Sequence, residues 1–243
     1  MMKFSKTQSA FTLTEVLITL AVIGVVAVLT LPVLIQKNNE FQKVIKLKKI
    51  YSTLSQAQTN IIIEYGTFDN LVTNNTDTGE LNEDGSKKLD YTNSEYLKSL
   101  FAKQLKVVES CDAGTNCLGK TVYYLRGVKW GDFYDPTLIL ADGTKLFFGW
   151  TTKCTRTTRV CLDIGVALPG ANKDRYILGE DIFYFQVYSN KIKPEGSTNG
   201  ALSSTDCRRS AGGRQCAAWV IYNENLDYLH CDDLSWGGKT KCK

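Results

Sequence analysis

The stretch Phe11–Ile35, FTLTEVLITLAVIGVVAVLTLPVLI, decides how this chain is organised. Its side chains are almost all apolar, and a helix needs about 20 such residues to cross the hydrocarbon core of a bilayer. The stretch therefore predicts one membrane-spanning helix. The ten residues before it, MMKFSKTQSA, are mostly polar and form a short leader that ends at Ala10.

Three residues distinguish this helix from an ordinary span. Glu15 places an ionisable group inside the apolar run, where a charge at the bilayer centre costs roughly 2.5–3.5 kcal/mol. Gly24 lowers helix stability and Pro32 removes a backbone hydrogen bond, so we expect local melting or a kink at these positions. For Gly24 the alternative is close packing of helices within the membrane.

The leader differs from a secretory signal in where it would be cut. A small residue, Ala10, stands directly before the apolar run, whereas a secretory signal is cleaved after its hydrophobic segment. Cleavage between Ala10 and Phe11 would keep the whole helix in the mature protein. The sequence therefore predicts a leader at 1–10 and a retained helix at 11–35.

The run Ala10-Phe11-Thr12-Leu13-Thr14-Glu15, followed by a long apolar helix, resembles the N-terminal motif of type IV pilins and type II secretion pseudopilins. The resemblance implies that a prepilin peptidase cuts between Ala10 and Phe11 and that the new N-terminus is methylated. Glu15 and Pro32 stand where the family has them. The family usually has Gly at the position of Ala10, so we expect slower cleavage here.

This resemblance implies a structural subunit, major or minor, of a type IV pilus or a type II secretion pseudopilus. Its partners would be pilin-like subunits, the peptidase, an inner-membrane assembly platform and membrane lipid. A buried carboxylate is tolerable when a cation meets it, so we expect Glu15 to pair with the Phe11 amine of a neighbouring subunit. The alternative is that Glu15 lies at the headgroup border. Whether the filament serves secretion, twitching, adhesion or DNA uptake stays open.

The expected location is the bacterial inner membrane, crossed once with the N-terminus in the cytoplasm, and then a periplasmic or cell-surface filament. A count of basic residues opposes this orientation, because more of them follow the span than precede it. Those that follow are Lys37, Lys43, Lys46, Lys48 and Lys49, against Lys3 and Lys6 before it. The motif and the cysteines outweigh a statistical rule, and we keep the orientation that they favour.

Beyond the span, apolar residues recur every three or four positions from Phe41 to Tyr65. This period predicts an amphipathic continuation of the helix over 36–66, with Gly66 as its stop. The alternative is two helices broken at Lys37–Glu40. Residues 67–243 would then form one globular domain.

The rest of the chain predicts an α+β fold, in which the long N-terminal helix packs against an antiparallel β-sheet and the C-terminal part is rich in disulfides. Residues 69–93 are expected to form a surface loop with one short element, and Ser94–Val107 a short helix. Strands are predicted at Thr121–Arg126, at Thr137–Trp150 as a hairpin turning at Asp142-Gly143, and at Val160–Val166, Ile182–Tyr188 and Ala217–Tyr222.

Eight cysteines follow the helix, and none of them shows the Cys-x-x-Cys spacing of a zinc or redox site. An even number in an extracytoplasmic domain favours four disulfides, although eight cysteines allow 105 connectivities. We expect the sequential pairing, and the alternative is free buried cysteines. The expected pairs are Cys111 with Cys117, Cys154 with Cys161, Cys207 with Cys216, and Cys231 with Cys242.

The sequence shows no catalytic motif, and its single histidine, His230, cannot form a His-rich site. We expect no enzyme activity and no cofactor. The net charge of +4 is modest, so nucleic-acid binding is not expected. Four acidic residues could supply calcium ligands, although a solvated acidic turn explains them better. These residues are Asp163, Asp174, Glu180 and Asp181.

Two other functions remain as alternatives. The first is an adhesin displayed on a filament, which would use exposed tryptophans to bind a ligand. The tryptophans are Trp130, Trp150, Trp219 and Trp236. The second is an extracytoplasmic enzyme held by an uncleaved signal anchor, which would keep residues 1–10 in the mature chain.

Overall fold

A computed structural model describes residues 12–75, 77–81, 87–155, 159–170, 174–197 and 207–242. The chain divides into two compact units, Met1–Gln42 and Lys43–Lys243. The leader and the two processing positions, Ala10 and Phe11, lie outside the described residues.

The helices are α1 Leu13–Tyr65, α2 Phe68–Leu71, α3 Thr92–Gln104 and α4 Cys216–Asn223, followed by a single 3-10 turn at Asp227–Leu229. The strands are β1 Asp77–Leu81, β2 Lys87–Leu89, β3 Val107–Cys111, β4 Thr121–Tyr123, β5 Lys129–Gly131, β6 Thr137–Leu140, β7 Lys145–Thr151, β8 Leu162–Ala167, β9 Arg175–Ile177, β10 Ile182–Val187 and β11 Ile192–Pro194. This mixture of a long helix and antiparallel strands confirms the predicted α+β class.

In the first unit, α1 is an apolar helix whose side chains are exposed. Its most apolar window has a mean hydropathy of 2.8 and buries none of its residues, so by length and composition the helix could cross a membrane. The backbone stays helical through Gly24 and Pro32, and residues 37–40 are helical as well. The alternative of two separate helices is therefore wrong, whereas melting at Gly24 or Pro32 stays a prediction.

In the second unit, the remainder of α1 has one buried face, as the three-to-four-residue spacing of its apolar residues predicts. Leu47, Leu54 and Ile61 are fully buried and belong to the main hydrophobic core. The Tyr51 ring stacks on Phe185 of β10, with the ring centroids 5.5 Å apart. Phe41 was expected on this face but is 58% exposed.

The helix ends where the sequence predicts. Gly66 has a φ of +94°, a left-handed conformation that glycine adopts at little cost, and its N–H donates to the Ile62 carbonyl at 3.0 Å. The helical hydrogen bonding therefore closes at Tyr65 and the chain turns away.

The main sheet has six antiparallel strands in the order β11-β10-β8-β7-β6-β3. One of its faces contributes Ile164, Phe148 and Phe185 to the same core as α1 and α3. A second, smaller core includes Phe147 and Tyr184 from this sheet.

A three-stranded sheet, β5-β4-β9, supplies the other side of the second core through Val122 and Tyr176. Strands β4 and β9 pair in parallel although they lie far apart in sequence. The main sheet is therefore covered on both faces, which explains why β8 and β10 are nearly continuous apolar runs.

The structure corrects two predictions. Residues Ala217–Tyr222 were predicted as a strand but lie in α4, because a short apolar run that is buried on almost every side shows no period that separates helix from strand. Residues 69–93 were predicted as a loop with one short element but hold the end of α2, the antiparallel pair β1–β2 and the start of α3. The hairpin turning at Asp142-Gly143 is confirmed, with Gly143 at a φ of +81°.

Candidate assembly segment

The N-terminal turn of α1 holds Glu15 in a capping box. The backbone N–H and the hydroxyl of Thr12 both donate to Oε2 of Glu15 at 2.8 Å, and the Glu15 N–H donates to the Thr12 hydroxyl at 3.2 Å. In this motif the side chain of the first residue accepts a hydrogen bond from the backbone N–H three positions later. The acidic side chain at that later position accepts a hydrogen bond from the backbone N–H of the first residue. The carboxylate therefore satisfies backbone groups of its own helix end.

This arrangement leaves part of Glu15 available to a second molecule. Both hydrogen bonds from Thr12 reach Oε2, and Oε1 has no partner among the described residues. Glu15 itself is exposed. Sequence reasoning selected Glu15 but missed the role of Thr12, although the spacing Thr-x-x-Glu before an apolar run is the signature of a capping box.

The surface that follows Glu15 is apolar all round. Val28 is 71% exposed, Leu29 70% and Ile23 64%. A helix that is apolar on every side needs an apolar environment, which either a bilayer or the apolar helices of other copies can supply. Gly24 and Pro32 lie within this surface, and a Cβ at Gly24 would meet nothing within 4 Å.

In the second unit, a buried ion pair joins α1 to the turn between β9 and β10. The Lys43 ammonium lies 2.9 Å from Oδ1 of Asp181 and 3.4 Å from Oε1 of Glu180. Asp181 also accepts the Ile177 N–H at 3.2 Å. Its side chain is 3% exposed, so Lys43 is the cation that makes this buried carboxylate tolerable.

A second cluster of charges surrounds Arg214. Its Nε lies 3.0 Å from Glu195, its Nη2 lies 2.8 Å from Asp163, and its guanidinium lies 4.2 Å from the Tyr184 ring centroid. Burial raises the pKa of Asp163 above its usual value, and the Arg214 charge opposes that rise. The cluster holds β8, β11 and the segment before α4 together.

These contacts bear on the calcium candidates. Glu180 and Asp181 contact Lys43, whereas Asp163 contacts Arg214, so these three of the four candidates are divided between two ion-pair clusters. Within the described ranges, the one group of three potential metal ligands is Glu109, Cys111 and Cys117, and its cysteines are joined in a disulfide. Calcium binding by the acidic candidates stays a prediction.

All eight cysteines form disulfides within the second unit. The pairs are the sequential ones: Cys111–Cys117, Cys154–Cys161, Cys207–Cys216 and Cys231–Cys242. Each closes a loop of 6 to 11 residues, so the disulfides stabilise individual loops rather than joining distant parts of the chain.

The four tryptophans do not share one surface. Trp219 is 3% exposed and meets Trp236 edge to face, with centroids 4.9 Å apart. Trp130 stacks on Tyr124 beside the smaller core, and Trp150 is 49% exposed on β7. They therefore form no common aromatic platform of the kind that the adhesin alternative would use.

Comparison with known proteins adds one finding. A family model described as the prokaryotic N-terminal methylation motif matches residues 5–31. No curated protein and no solved structure is significantly similar to the chain. Residues 5–31 thus carry the signal of type IV pilins and pseudopilins, and this motif supports a pilin-like or pseudopilin-like protein.

Proposed function

We propose that this protein is a structural subunit, major or minor, of a type IV pilus or a type II secretion pseudopilus. The observation that carries the proposal is the methylation motif at 5–31 at the start of an uninterrupted helix whose apolar side chains are exposed. Such a surface is stable in a bilayer before assembly and against the helices of other subunits afterwards. The role is structural rather than catalytic.

Processing is the first step of the proposed function. A prepilin peptidase cuts between Ala10 and Phe11, and the Phe11 amine is then methylated. The precursor lies in the inner membrane with residues 1–10 in the cytoplasm and 67–243 outside it. The filament partners are other pilin-like subunits, and the assembly platform extracts the mature chain from the lipid.

Intact mass of the membrane-extracted protein tests this step. We expect a chain that begins at methylated Phe11 when a prepilin peptidase is coexpressed. Replacing Ala10 with Gly restores the residue usual in the family and should raise the cleaved fraction in a short pulse. A chain that keeps Met1 in the presence of active peptidase would instead indicate a signal anchor and would reject the proposal.

Glu15 sets the stagger between subunits in this proposal. Its Oε2 is held by Thr12, and its Oε1 is available to the Phe11 amine of a neighbouring subunit. In an apolar filament core, a carboxylate and an ammonium stabilise each other strongly, because neither is solvated by water. A subunit shifted by one helical turn would leave both charges unpaired, so the correct stagger is selected.

Three variants separate charge pairing from helix capping. Glu15→Gln keeps an oxygen that can accept from Thr12 but loses the charge, Glu15→Ala loses both, and Thr12→Val loses only the hydroxyl. If charge pairing drives assembly, Gln and Ala should both lower incorporation into sheared filaments at least about tenfold, which corresponds to about 1.4 kcal/mol. Thr12→Val should have a smaller effect. Normal incorporation of Glu15→Gln would show that capping alone is required.

A further inference from the structure

Lys43 and Asp181 form an ion pair in which both side chains are largely buried. The Lys43 side chain is 14% exposed and the Asp181 side chain 3%, and Nζ lies 2.9 Å from Oδ1. In every other ion pair that a lysine forms within the described ranges, the carboxylate is 29% to 88% exposed. This amine and this carboxyl group therefore meet where water has little access.

The surroundings of Asp181 hold its carboxyl group in place. Its backbone N–H donates to the Ile177 carbonyl and its carbonyl accepts from the Leu168 N–H, both at 2.8 Å. Oδ2 accepts the Ile177 N–H at 3.2 Å. A Cβ at Gly170 would lie 3.1 Å from Oδ1, so a larger residue there would crowd this oxygen. The carboxyl group is thus fixed against the Lys43 amine, and groups held in contact react far faster than free ones.

Burial gives this pair a reason to react. Two charges taken out of water lose their solvation, and their mutual attraction repays only part of that loss. Condensation of the ammonium and the carboxylate to an amide removes both charges and leaves a neutral group, whose oxygen the Ile177 N–H already contacts. An exposed pair gains nothing from condensation, because water solvates both ions. The buried position therefore favours the amide.

We propose that Lys43 and Asp181 condense into an isopeptide bond, which is an amide between side chains, with Glu180 as the base. Glu180 Oε1 lies 3.4 Å from Nζ and carries one proton from the ammonium to Oδ1. The neutral amine then bonds to Cγ, and the Ile177 N–H stabilises the negative charge that forms on Oδ2. A second proton from the nitrogen follows, the bond from Cγ to Oδ1 breaks, and Oδ1 leaves as water. The last hydrogen stays on the amide nitrogen.

The isopeptide bond would do what the disulfides do not. The four disulfides close loops of 6 to 11 residues, all of them after α1. Lys43 and Asp181 are 138 positions apart, so their bond would tie α1 to the turn between β9 and β10. A force that pulls on α1 would then reach the domain through a covalent bond. This inference goes beyond the proposed function and does not depend on it.

Mass spectrometry of the full chain, purified in detergent and reduced, tests the proposal. Trypsin does not cleave after an acylated lysine, so we expect residues 38–46 to be recovered linked to residues 176–191. The mass of the linked product should be lower than the sum of the two peptides by one water molecule. An ion pair alone would not survive denaturation and would give separate peptides, with cleavage after Lys43.

Two variants and one internal control sharpen the test. Lys43→Arg keeps the positive charge but carries a guanidinium that does not condense, so the link should be absent. Glu180→Gln removes the base and should slow formation of the link at least about tenfold in a pulse-chase experiment. Lys98 also lies 2.9 Å from an aspartate, but Asp112 is 88% exposed, so the peptides of this pair should stay separate. Circular dichroism verifies that each variant is folded.

Three results would overturn the inference. Cleavage after Lys43 in the native chain, with residues 176–191 recovered unlinked, would show an ordinary ion pair. A link between Lys98 and Asp112 as well would show that contact alone, and not burial, drives condensation. Formation at the native rate in Glu180→Gln would remove Glu180 as the base. All three are measured on the purified chain, so they are independent of filament incorporation of the Glu15 variants.

Discussion

The two parts of α1 lie in opposite environments although they belong to one helix. Up to Gln42 its apolar residues are exposed, as at Leu29, which is 70% exposed. From Lys43 onward most of its apolar residues form a single buried face, as at Leu54, which is fully buried, although Ile63 is 80% exposed. The apolar surface of the first part needs a bilayer or another molecule to cover it. The apolar face of the second part is covered by the core of the domain.

Charges follow the same division. The one carboxylate near the start of α1, Glu15, is held by backbone and hydroxyl groups of its own first turn. In the second unit, buried Asp181 is held by Lys43, and partly buried Asp163 by Arg214. These two carboxylates of the domain are therefore paired within the chain, whereas the pairing proposed for Glu15 requires another molecule.

The largest expected effect comes from truncating one leucine in each part of the helix. Leu54→Ala should lower the free energy of unfolding of the domain by about 4 kcal/mol, because it opens a cavity in a packed core. Leu29→Ala removes the same atoms from an exposed position and should leave domain unfolding unchanged. Urea unfolding of the full chain in detergent, followed by tryptophan fluorescence, measures both. Equal effects would contradict the division of α1.

The next effect concerns the ion pair that joins α1 to the domain. Lys43→Met leaves the buried Asp181 carboxylate without its cation and should cost about 3 kcal/mol of stability. Adding Asp181→Asn should restore part of the loss, because the uncompensated charge is gone. Lys48 pairs with Glu224 in an exposed position, so Lys48→Met should cost less than about 0.5 kcal/mol. The same urea titration reports all three.

The smallest effect concerns a carboxylate that lacks a close cation. Burial raises the pKa of Asp135 to about 6, although a hydrogen bond from Tyr91 and the Arg214 charge oppose the rise. Because the folded pKa exceeds the unfolded one, the contribution of Asp135 to stability is greatest below about pH 4 and falls as pH rises to about 6. Asp135→Asn cannot ionise and should gain roughly 2–3 kcal/mol over the native chain at pH 7, but nothing at pH 4.

Thermal unfolding at these two pH values checks this expectation. Asp142 is exposed at the β6–β7 turn, and Asp142→Asn serves as the control because it removes a carboxylate without removing a buried charge. If Asp135→Asn keeps the pH dependence of the native chain, burial does not govern this carboxylate.

Local sequence signals predicted much of the fold. The apolar run, the helical period and Gly66 give the course of α1, and Asp142-Gly143 gives one hairpin. The four short-loop disulfides were also expected from the order of the cysteines. Each of these features depends on residues that are close in sequence, so their pattern can be read without knowing the rest of the chain.

Pairings between distant residues were not predicted. The parallel contact of β4 with β9, the ion pair of Lys43 with Asp181 and the cluster around Arg214 join segments far apart in the chain. No local period signals such partners, because many lysines and carboxylates could have met. The same limitation caused the error at α4, where burial on nearly every side removed the polar positions that reveal a helix.

The sequence by itself determined the apolar N-terminal helix, its motif and the position of Glu15. An apolar run and a local motif can be recognised without knowing how the rest of the chain folds. Only the tertiary structure decided which face of α1 is buried against the main sheet and which cations meet carboxylates. These features depend on which strands become neighbours, and that choice is made by packing of the whole domain.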